Sequence, residues 1–182
     1  MRIISGKHKS RRINAPNNLP TRPTTDMAKE GLFNILNNHY YFDQISVLDI
    51  FAGIGSIGFE FASRGTPQII CVDLHQGCVR FLEKTNKELD LGIQVIKSDA
   101  YSFLEKTNAK FDVIFADPPY DLPQEKFQSI IDLVFERNLL NDDGLLIVEH
   151  SKKTDLSHNQ TFIRLKKYGN NVFSFFEKVE LT

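Results

Sequence analysis

An acidic residue, two prolines and a tyrosine end an apolar run in the middle of this chain. Residues 117–120 (DPPY) follow residues 111–116 (FDVIFA), whose composition predicts a buried strand. Because proline donates no N–H and cannot continue a strand, a carboxylate and backbone carbonyl oxygens remain as acceptors at the strand's carboxyl end. In an open α/β sheet, ligands bind outside that end. The segment therefore predicts a site for a planar amine, with the Tyr120 ring available for stacking.

A glycine-rich segment lies upstream, at the end of a second predicted buried strand. Residues 49–58 (DIFAGIGSIG) place Gly-x-Gly-x-x-Gly between a strand and a helix, and Asp73 ends the next predicted strand. The glycines permit a tight turn and close approach of the backbone to a ligand, and an acid at this offset accepts ribose hydroxyls. Taken alone, this pair of features fits NAD and S-adenosylmethionine (SAM) equally well.

Two further acids favour SAM over NAD. Asp49 precedes the glycine loop, where a carboxylate would repel a pyrophosphate but attract the ammonium group of a methionine moiety. Asp99 ends the third predicted strand, where it can accept from an adenine amino group, although Asp is also a good helix N-cap. One acid or glycine at each successive strand end predicts a SAM site formed by Asp49, Gly53, Gly55, Asp73 and Asp99.

Residues 117–120 would then carry the chemistry of methyl transfer. An exocyclic purine amine is a poor nucleophile because its lone pair is delocalised into the ring. Hydrogen bonds from its two N–H groups to the Asp117 carboxylate and the Pro118 carbonyl favour a pyramidal nitrogen aimed at the methyl group. Stacking on Tyr120 would hold the base. The alternative is a Pro-Pro turn with a capping Asp and no catalytic role.

The surrounding pattern predicts strands and helices that alternate at the spacing of βαβ units. The predicted strands are residues 46–51, 68–73, 93–97, 111–116 and 144–149, the last after a turn at 141–143. The predicted helices run from residue 24 or 25 to 38, up to 64, and over 75–89, 99–106 and 125–136. Residues 161–167 and 172–179 flank Gly169-Asn170, a hairpin signal, and residues 2–13 suggest two short strands around Gly6.

This pattern predicts a fold of the α/β class. It is the three-layer Rossmann-like SAM-dependent methyltransferase fold, with a seven-stranded mostly parallel sheet, a C-terminal antiparallel hairpin and a short N-terminal β-hairpin. A length of 182 residues suggests a single domain, with residues 1–14 as an extension. The two cysteines form neither a disulfide framework nor a metal set, and no apolar run approaches a membrane span. We expect a cytoplasmic, monomeric protein without a metal.

Charge is distributed unevenly along the chain. The formal net charge is −1, yet six Lys and Arg residues and no acid precede Asp26, so 16 basic and 23 acidic residues remain in the rest of the chain. The six are Arg2, Lys7, Lys9, Arg11, Arg12 and Arg22. A basic arm on an acidic body predicts a polyanionic partner. A solvated terminus without a partner is an alternative of equal weight from charge alone.

Nearly the whole chain resembles the RsmD family, the bacterial 16S ribosomal RNA (guanine(966)-N(2))-methyltransferases. The segments that carry the resemblance are RIISGKHKSRRI, residues 22–34, LDIFAGIGSIGFE, SRG at 63–65, DPPY and the strand end at Val148-Glu149. The family implies SAM as cofactor and the small ribosomal subunit or its 16S RNA as partner. Ile54 stands where a small polar residue is common in the family.

The resemblance also implies a role for individual residues. It assigns SAM binding to Asp49, Phe51, Ala52, Gly53, Gly55, Asp73, Leu74, Asp99 and Ala100. It assigns catalysis to Asp117, Pro118 and Tyr120. It assigns substrate binding to Arg2, Lys7, Lys9, Arg11, Arg12, Arg22, Pro119 and Tyr120. The segment Arg22-Pro23-Thr24 would close over the site.

Other classes of protein explain fewer of these features. DNA adenine methyltransferases share DPPY, but they usually carry a target-recognition domain for which this chain has no remaining length. A small-molecule or protein methyltransferase does not need the basic hairpin. An NAD-dependent dehydrogenase accounts for the glycine loop but not for DPPY or the final hairpin. A non-catalytic nucleotide-binding module would hold the Asp117 carboxylate in an apolar cleft without a task, which is energetically unfavourable.

Overall fold

A seven-stranded sheet forms the centre of the computed structural model, which describes residues 1–21 and 24–179. The strands are β1 (Ser46–Ile50), β2 (Gln68–Asp73), β3 (Gln94–Lys97), β4 (Phe111–Ala116), β5 (Leu140–His150), β6 (Phe162–Tyr168) and β7 (Asn171–Phe176). Their order in the sheet is β3-β2-β1-β4-β5-β7-β6. Strands β1 to β5 are mutually parallel, and β7 lies antiparallel between β5 and β6. The predicted Rossmann-like methyltransferase sheet is confirmed.

Helices cover both faces of this sheet. They are α1 (Asp26–Leu36), α2 (Ser56–Ser63), α3 (Gln76–Leu89), α4 (Ala100–Lys106) and α5 (Gln124–Glu136), with a short 3-10 helix at Phe42–Gln44. Apolar residues of α1, α2 and α3 share one core cluster with one face of the sheet, and those of α4 and α5 share a second cluster with the other face. In the part of the chain that the structure describes, no helix is long and apolar enough to span a membrane.

Local side-chain chemistry sets where three of the helices begin. Thr25 Oγ1 accepts a hydrogen bond from the Ala28 N–H at 3.2 Å, which caps α1. Asp99 Oδ1 accepts from the Ser102 N–H at 2.9 Å, which caps α4, and the His75 ring caps α3. Such caps satisfy backbone donors that have no partner within the helix. The predicted alternation of strands and helices is confirmed. Most of the observed boundaries lie within two residues of the predicted ones.

The structure shortens one element predicted from the sequence and corrects another. The N-terminal hairpin is present but shorter than predicted: Arg2 and Arg12 form an antiparallel bridge, flanked by backbone hydrogen bonds from the Ile3 N–H to the Arg11 carbonyl and from the Ile13 N–H to the Met1 carbonyl, both at 2.9 Å. Residues 5–10 between them form bends and turns. Ile3 and Ile13, on either side of the bridge, are 1% and 7% exposed, so burial of these two side chains adds to the backbone pairing that fixes the arm. The turn predicted at 141–143 is instead part of β5, which shifts register there against β4.

Candidate active site

A cleft of about 950 Å³ opens at the carboxyl ends of the parallel strands. Parallel strands end at the same edge of the sheet, so this edge collects the loops that follow β1 to β4. The predicted site residues that line it are Asp49, Phe51, Ala52, Gly53, Asp73, Leu74, Asp99, Ala100, Asp117, Pro118, Pro119 and Tyr120. The structure thus brings together the residues predicted to hold a cofactor and those predicted to hold an amine.

Gly55 does not line the cleft, although it was predicted as a cofactor contact. It lies within the glycine loop with φ +79°, and a Cβ at this position would lie 2.6 Å from Leu82 Cδ2. Gly58 likewise allows close packing, because a Cβ there would lie 2.4 Å from Cys71 Sγ. These glycines shape the loop and seat α2 on the sheet, while Gly53 faces the cleft.

Phe51 has an unusual backbone conformation at the exit of β1. Its φ of +66° lies in the left-handed region, which is a genuine outlier for a bulky side chain. Strain of this kind persists where the surroundings determine the conformation, and it clusters at functional sites. The Phe51 ring packs edge-on against Tyr101, with ring centroids 6.4 Å apart. No signal in the sequence indicated this conformation.

Asp73 joins the end of β2 to the glycine loop. Its Oδ2 accepts a hydrogen bond from the Gly53 N–H at 2.7 Å, and its Oδ1 accepts from the His75 N–H at 2.8 Å. A carboxylate has about four acceptor positions, so both oxygens retain capacity for ligand hydroxyls. Asp99 both caps α4 and lines the cleft, so the two roles considered for it are compatible.

Two carboxyl groups lie at the centre of the site, with Asp49 buried and Asp117 half-buried. Asp49 is 2% exposed, and burial raises its pKa to about 8, with the Gly58 N–H opposing the shift and the carboxylates of Asp73 and Glu149 adding to it. Burial, followed by the charges of Glu149 and Asp49, also raises the pKa of Asp117 well above its usual range. Acids in this setting favour a cationic ligand or hydrogen-bond donors. Among the residues that the structure describes, no group of His, Cys, Asp or Glu could hold a metal ion.

The donor set of the cleft fits SAM. A buried carboxylate at Asp49 suits an ammonium group, Asp73 suits a ribose and Asp99 suits an adenine amine. Gly53 lines the cleft with φ +55°, a conformation that L side chains rarely adopt, and a Cβ there would lie 3.1 Å from Thr21 Cγ2. The same cleft extends to residues 117–120, which also line it.

A polar network centred on Glu149 was not predicted from the sequence. The Tyr120 hydroxyl donates to Glu149 Oε1 at 2.9 Å, and the Thr24 hydroxyl donates to Glu149 Oε2 at 3.3 Å. The Asn171 amide donates to Glu149 Oε1 and, at 3.2 Å, to the Tyr120 oxygen. Glu149 lies near the carboxyl end of β5, so the strand-end rule applied to the other acids would have found it. Nothing in the sequence pattern singled out Asn171.

The connector before α1 forms one wall of the cleft. Pro20, Thr21 and Thr24 line it, so Thr24 lies where the resemblance expected a closing segment. Arg22 and Pro23 lie outside the described residues. The other predicted substrate-binding residues of the arm, Arg2, Lys7, Lys9, Arg11 and Arg12, do not line this cleft.

A buried carboxylate attaches the basic arm to α2. Glu60 is fully buried and accepts from the backbone N–H groups of Ile4 at 2.9 Å and Ser5 at 3.0 Å. It also pairs with Arg64 at 2.9 Å and with the buried Lys29 ammonium at 3.5 Å. Because α2 begins at the glycine loop, the same helix contacts the arm and continues from a loop that lines the cleft.

Comparison with known proteins agrees with this architecture. A model of the family described as "Conserved hypothetical protein 95" matches residues 1–177. The chain is 32% identical over 180 residues to the ribosomal RNA small subunit methyltransferase D of Haemophilus influenzae. This alignment covers 96% of this chain and 91% of that protein. The solved structure of yhhF from Escherichia coli matches with a TM-score of 0.84 at 28% identity, over 98% of this chain and 97% of that chain.

A more distant solved structure shares the fold alone. It is the 16S rRNA methyltransferase RsmC of Thermus thermophilus in complex with AdoMet and guanosine, with a TM-score of 0.71 at 21% identity. The match covers 88% of this chain and 45% of that chain.

The family model matches residues 1–177, and the identity to methyltransferase D extends over nearly the whole chain. The chain therefore belongs to the RsmD family of ribosomal RNA small subunit methyltransferases.

Proposed function

We propose that this chain transfers a methyl group from SAM to the exocyclic N2 amine of a guanine in 16S ribosomal RNA. One observation carries the proposal: the acceptors of residues 117–120 share a cleft with the glycine loop and the strand-end acids. The RNA substrate is supported by the relative named as a small subunit methyltransferase. The N2 position is what the sequence resemblance to the guanine-N2 methyltransferases of the RsmD family implies.

The cofactor side of the cleft has a residue for each part of SAM. Asp49 would hold the methionine ammonium, and Asp73 would accept from the ribose hydroxyls. Asp99 and Ala100 would contact the adenine, with Leu74 beside it and the backbone of residues 51–53 enclosing the sulfonium end. SAM supplies an already activated methyl group when it is bound, so the contribution of the protein is largely to position the amine.

The amine side is formed by residues 117–120. The Asp117 carboxylate and the Pro118 carbonyl would each accept one N–H of the amine, which directs the nitrogen lone pair out of the plane of the base. Tyr120, held by Glu149 through its hydroxyl, would stack on the base beside Pro119. The amine loses a proton when it gains a methyl group. Burial raises the pKa of Asp117, so this carboxyl can take up that proton when it enters the reaction as the carboxylate that accepts the N–H.

The basic arm would contact the RNA backbone. Lys7, Lys9, Arg11 and Arg12 lie on the exposed side of the arm and outside the cleft, and Arg2 pairs with Asp26 at 3.0 Å on the surface. Contacts with phosphate position a protein on nucleic acid without reading its sequence. Residues 1–14 would therefore act as an extension of a single, monomeric methyltransferase domain, with Arg22 adding a further contact.

Identification of the methylated nucleoside tests the proposal. The chain is incubated with SAM and either free 16S RNA or small ribosomal subunits, and the digested RNA is analysed by mass spectrometry. We expect N2-methylguanosine, and the two substrates distinguish free RNA from the assembled particle. N6-methyladenosine would instead support the alternative, an adenine-N6 methyltransferase of RNA or DNA, and no methylated nucleoside from either substrate would contradict the proposal.

Three substitutions at two neighbouring acids sharpen this experiment. Asp117→Ala should abolish the product while SAM affinity remains nearly unchanged, whereas Asp117→Asn should keep some activity because its amide oxygen still accepts a hydrogen bond. Asp121→Ala is the matched control, since Asp121 is exposed and lies outside the cleft lining. Full activity of the Asp117→Ala variant would remove Asp117 from the mechanism.

A further inference from the structure

The strand order divides the cleft into two sides at β4. Strands β1, β2 and β3 lie on one side of β4, and their ends carry Asp49, Asp73 and Asp99. Strands β5 and β7 lie on the other side. Because the cofactor occupies the first side in the proposed function, a base whose amine meets Asp117 must extend along the second.

Asn171 is the polar residue of the sheet that lines the cleft on this second side. It is the first residue of β7, it is half-buried, and its amide nitrogen lies 3.2 Å from the Tyr120 oxygen. Thr24 and Tyr120 also line this side, and both direct their hydroxyl hydrogens to Glu149. Asn171 is therefore placed next to the predicted stacking ring.

The partners of Asn171 determine which way its amide faces. A carboxylate only accepts hydrogen bonds, so the amide atom that meets Glu149 must be the nitrogen Nδ2. The same nitrogen faces the Tyr120 oxygen, whose own hydrogen is donated to Glu149. The carbonyl oxygen Oδ1 is then the group that Asn171 can offer to a ligand, and it is an acceptor.

We propose that Asn171 determines specificity for guanine, with Oδ1 accepting the N1–H of the target base. This inference rests on the proposed function. In guanine the N1–H adjoins the N2 amine on the same edge, so one base can meet Asp117, Pro118 and Asn171 together. Adenine has a lone pair at N1, which would face Oδ1 as acceptor against acceptor. A site built to hydrogen-bond a donor rejects an analogue that lacks it.

An RNA with 2-aminopurine at the methylated position tests this assignment. This base keeps the exocyclic N2 amine but has no N1–H, and it also lacks the O6 oxygen. We expect kcat/KM of the native chain to fall by roughly 10- to 100-fold relative to guanine. In the Asn171→Ala variant this ratio should shrink about tenfold, a factor corresponding to one hydrogen-bond contribution. Any contribution of O6 is present in both proteins and cancels in the comparison.

Two controls keep the result interpretable. Asn170→Ala changes the neighbouring exposed residue of the hairpin turn and should keep the native ratio. Calorimetry with SAM shows whether Asn171→Ala is folded; if it is not, Asn171→Ser takes its place, because serine is too short to reach the same atom. An unchanged ratio in a folded variant would overturn the role of Asn171 and leave the proposed function intact. Failure of the native chain to methylate guanine would overturn the proposed function itself.

Discussion

Asp49, which is proposed to hold the methionine ammonium, makes an unfavourable contribution to stability. Its carboxyl is 2% exposed, and burial raises its pKa to about 8. In the unfolded chain the pKa of this carboxyl is close to its ordinary value of 3.8. Between these two values the folded state binds more protons than the unfolded state, so the stability contributed by this group falls as the pH rises. A cation bound at the carboxylate would offset this loss.

Replacement of Asp49 should therefore change how stability depends on pH. Asp49→Asn removes the titrating group but keeps an oxygen that can accept from the Gly58 N–H. Measured by urea unfolding without SAM, the stability of the variant relative to the native chain should rise between pH 5 and pH 8 by on the order of 2–4 kcal/mol. Asp43→Asn, at an exposed position, should show no such change. A constant difference across this range would mean that Asp49 does not titrate as its burial indicates.

Asp73 provides a test of the cofactor at the scale of one residue. Asp73→Ala removes the acceptor predicted for the ribose hydroxyls and also the bond to the Gly53 N–H. We expect SAM affinity to weaken by roughly 1–3 kcal/mol, the range for hydrogen bonds to charged groups. Calorimetry with SAM and with NAD measures this directly. Tight binding of NAD by the native chain, without heat from SAM, would contradict the choice of cofactor.

At the scale of elements, the prediction from sequence was accurate where local pattern decides the structure. The apolar runs of β2 and β4 were predicted with their observed boundaries, because buried parallel strands read as short continuous apolar segments. The same strand predictions located two of the acids of the cleft, because Asp73 ends β2 and Asp117 follows β4. Phe51 was predicted as part of the cofactor loop, but its positive φ is imposed by tertiary packing and has no local signature.

The contacts that the sequence did not reveal join residues far apart in the chain. Glu60 bonds to residues more than fifty positions away, and Asn171 lies 51 positions from Tyr120. Composition showed that the arm is basic but not that it is anchored. The arm is part of the folded structure, because backbone groups of residues 4–8 bond to α2. A wholly solvated terminus is thereby excluded for these residues.

Ser63 offers a mild way to loosen this attachment. Its hydroxyl donates to the Ser5 carbonyl at 2.6 Å and accepts from the His8 N–H at 3.0 Å. Ser63→Ala should lower stability by roughly 1–2 kcal/mol and speed amide exchange at His8. The Ser63→Ala variant should also bind RNA more weakly, while its SAM affinity stays the same. Ser129→Ala, which removes a hydroxyl that donates to the Glu125 carbonyl within α5, is the control. Unchanged exchange at His8 in the Ser63→Ala variant would show that other contacts hold the arm.

At the scale of the whole molecule, charge separates the arm from the body. Arg11 and Arg12 lie beside a small groove against α3, together with Lys84. If both arginines meet RNA phosphates, each neutralised phosphate releases counterions and adds roughly 0.7–0.9 to the slope of log affinity against log salt. Deletion of the arm would be a poor test because Ile3 and Ile13 are part of the core. Point substitutions avoid that effect.

The double variant Arg11→Ala with Arg12→Ala should therefore flatten the salt dependence of RNA affinity by roughly 1.5. SAM affinity should not change, because neither side chain lines the cleft. Lys152→Ala with Lys153→Ala removes the same charge from two exposed residues elsewhere on the surface, so it separates local phosphate contacts from net charge. Parallel salt lines for the native chain and the arginine variant would show that these arginines touch no phosphate. An equal loss of slope in the lysine variant would mean that the RNA responds to overall charge, and the arm would then have no special part in binding it.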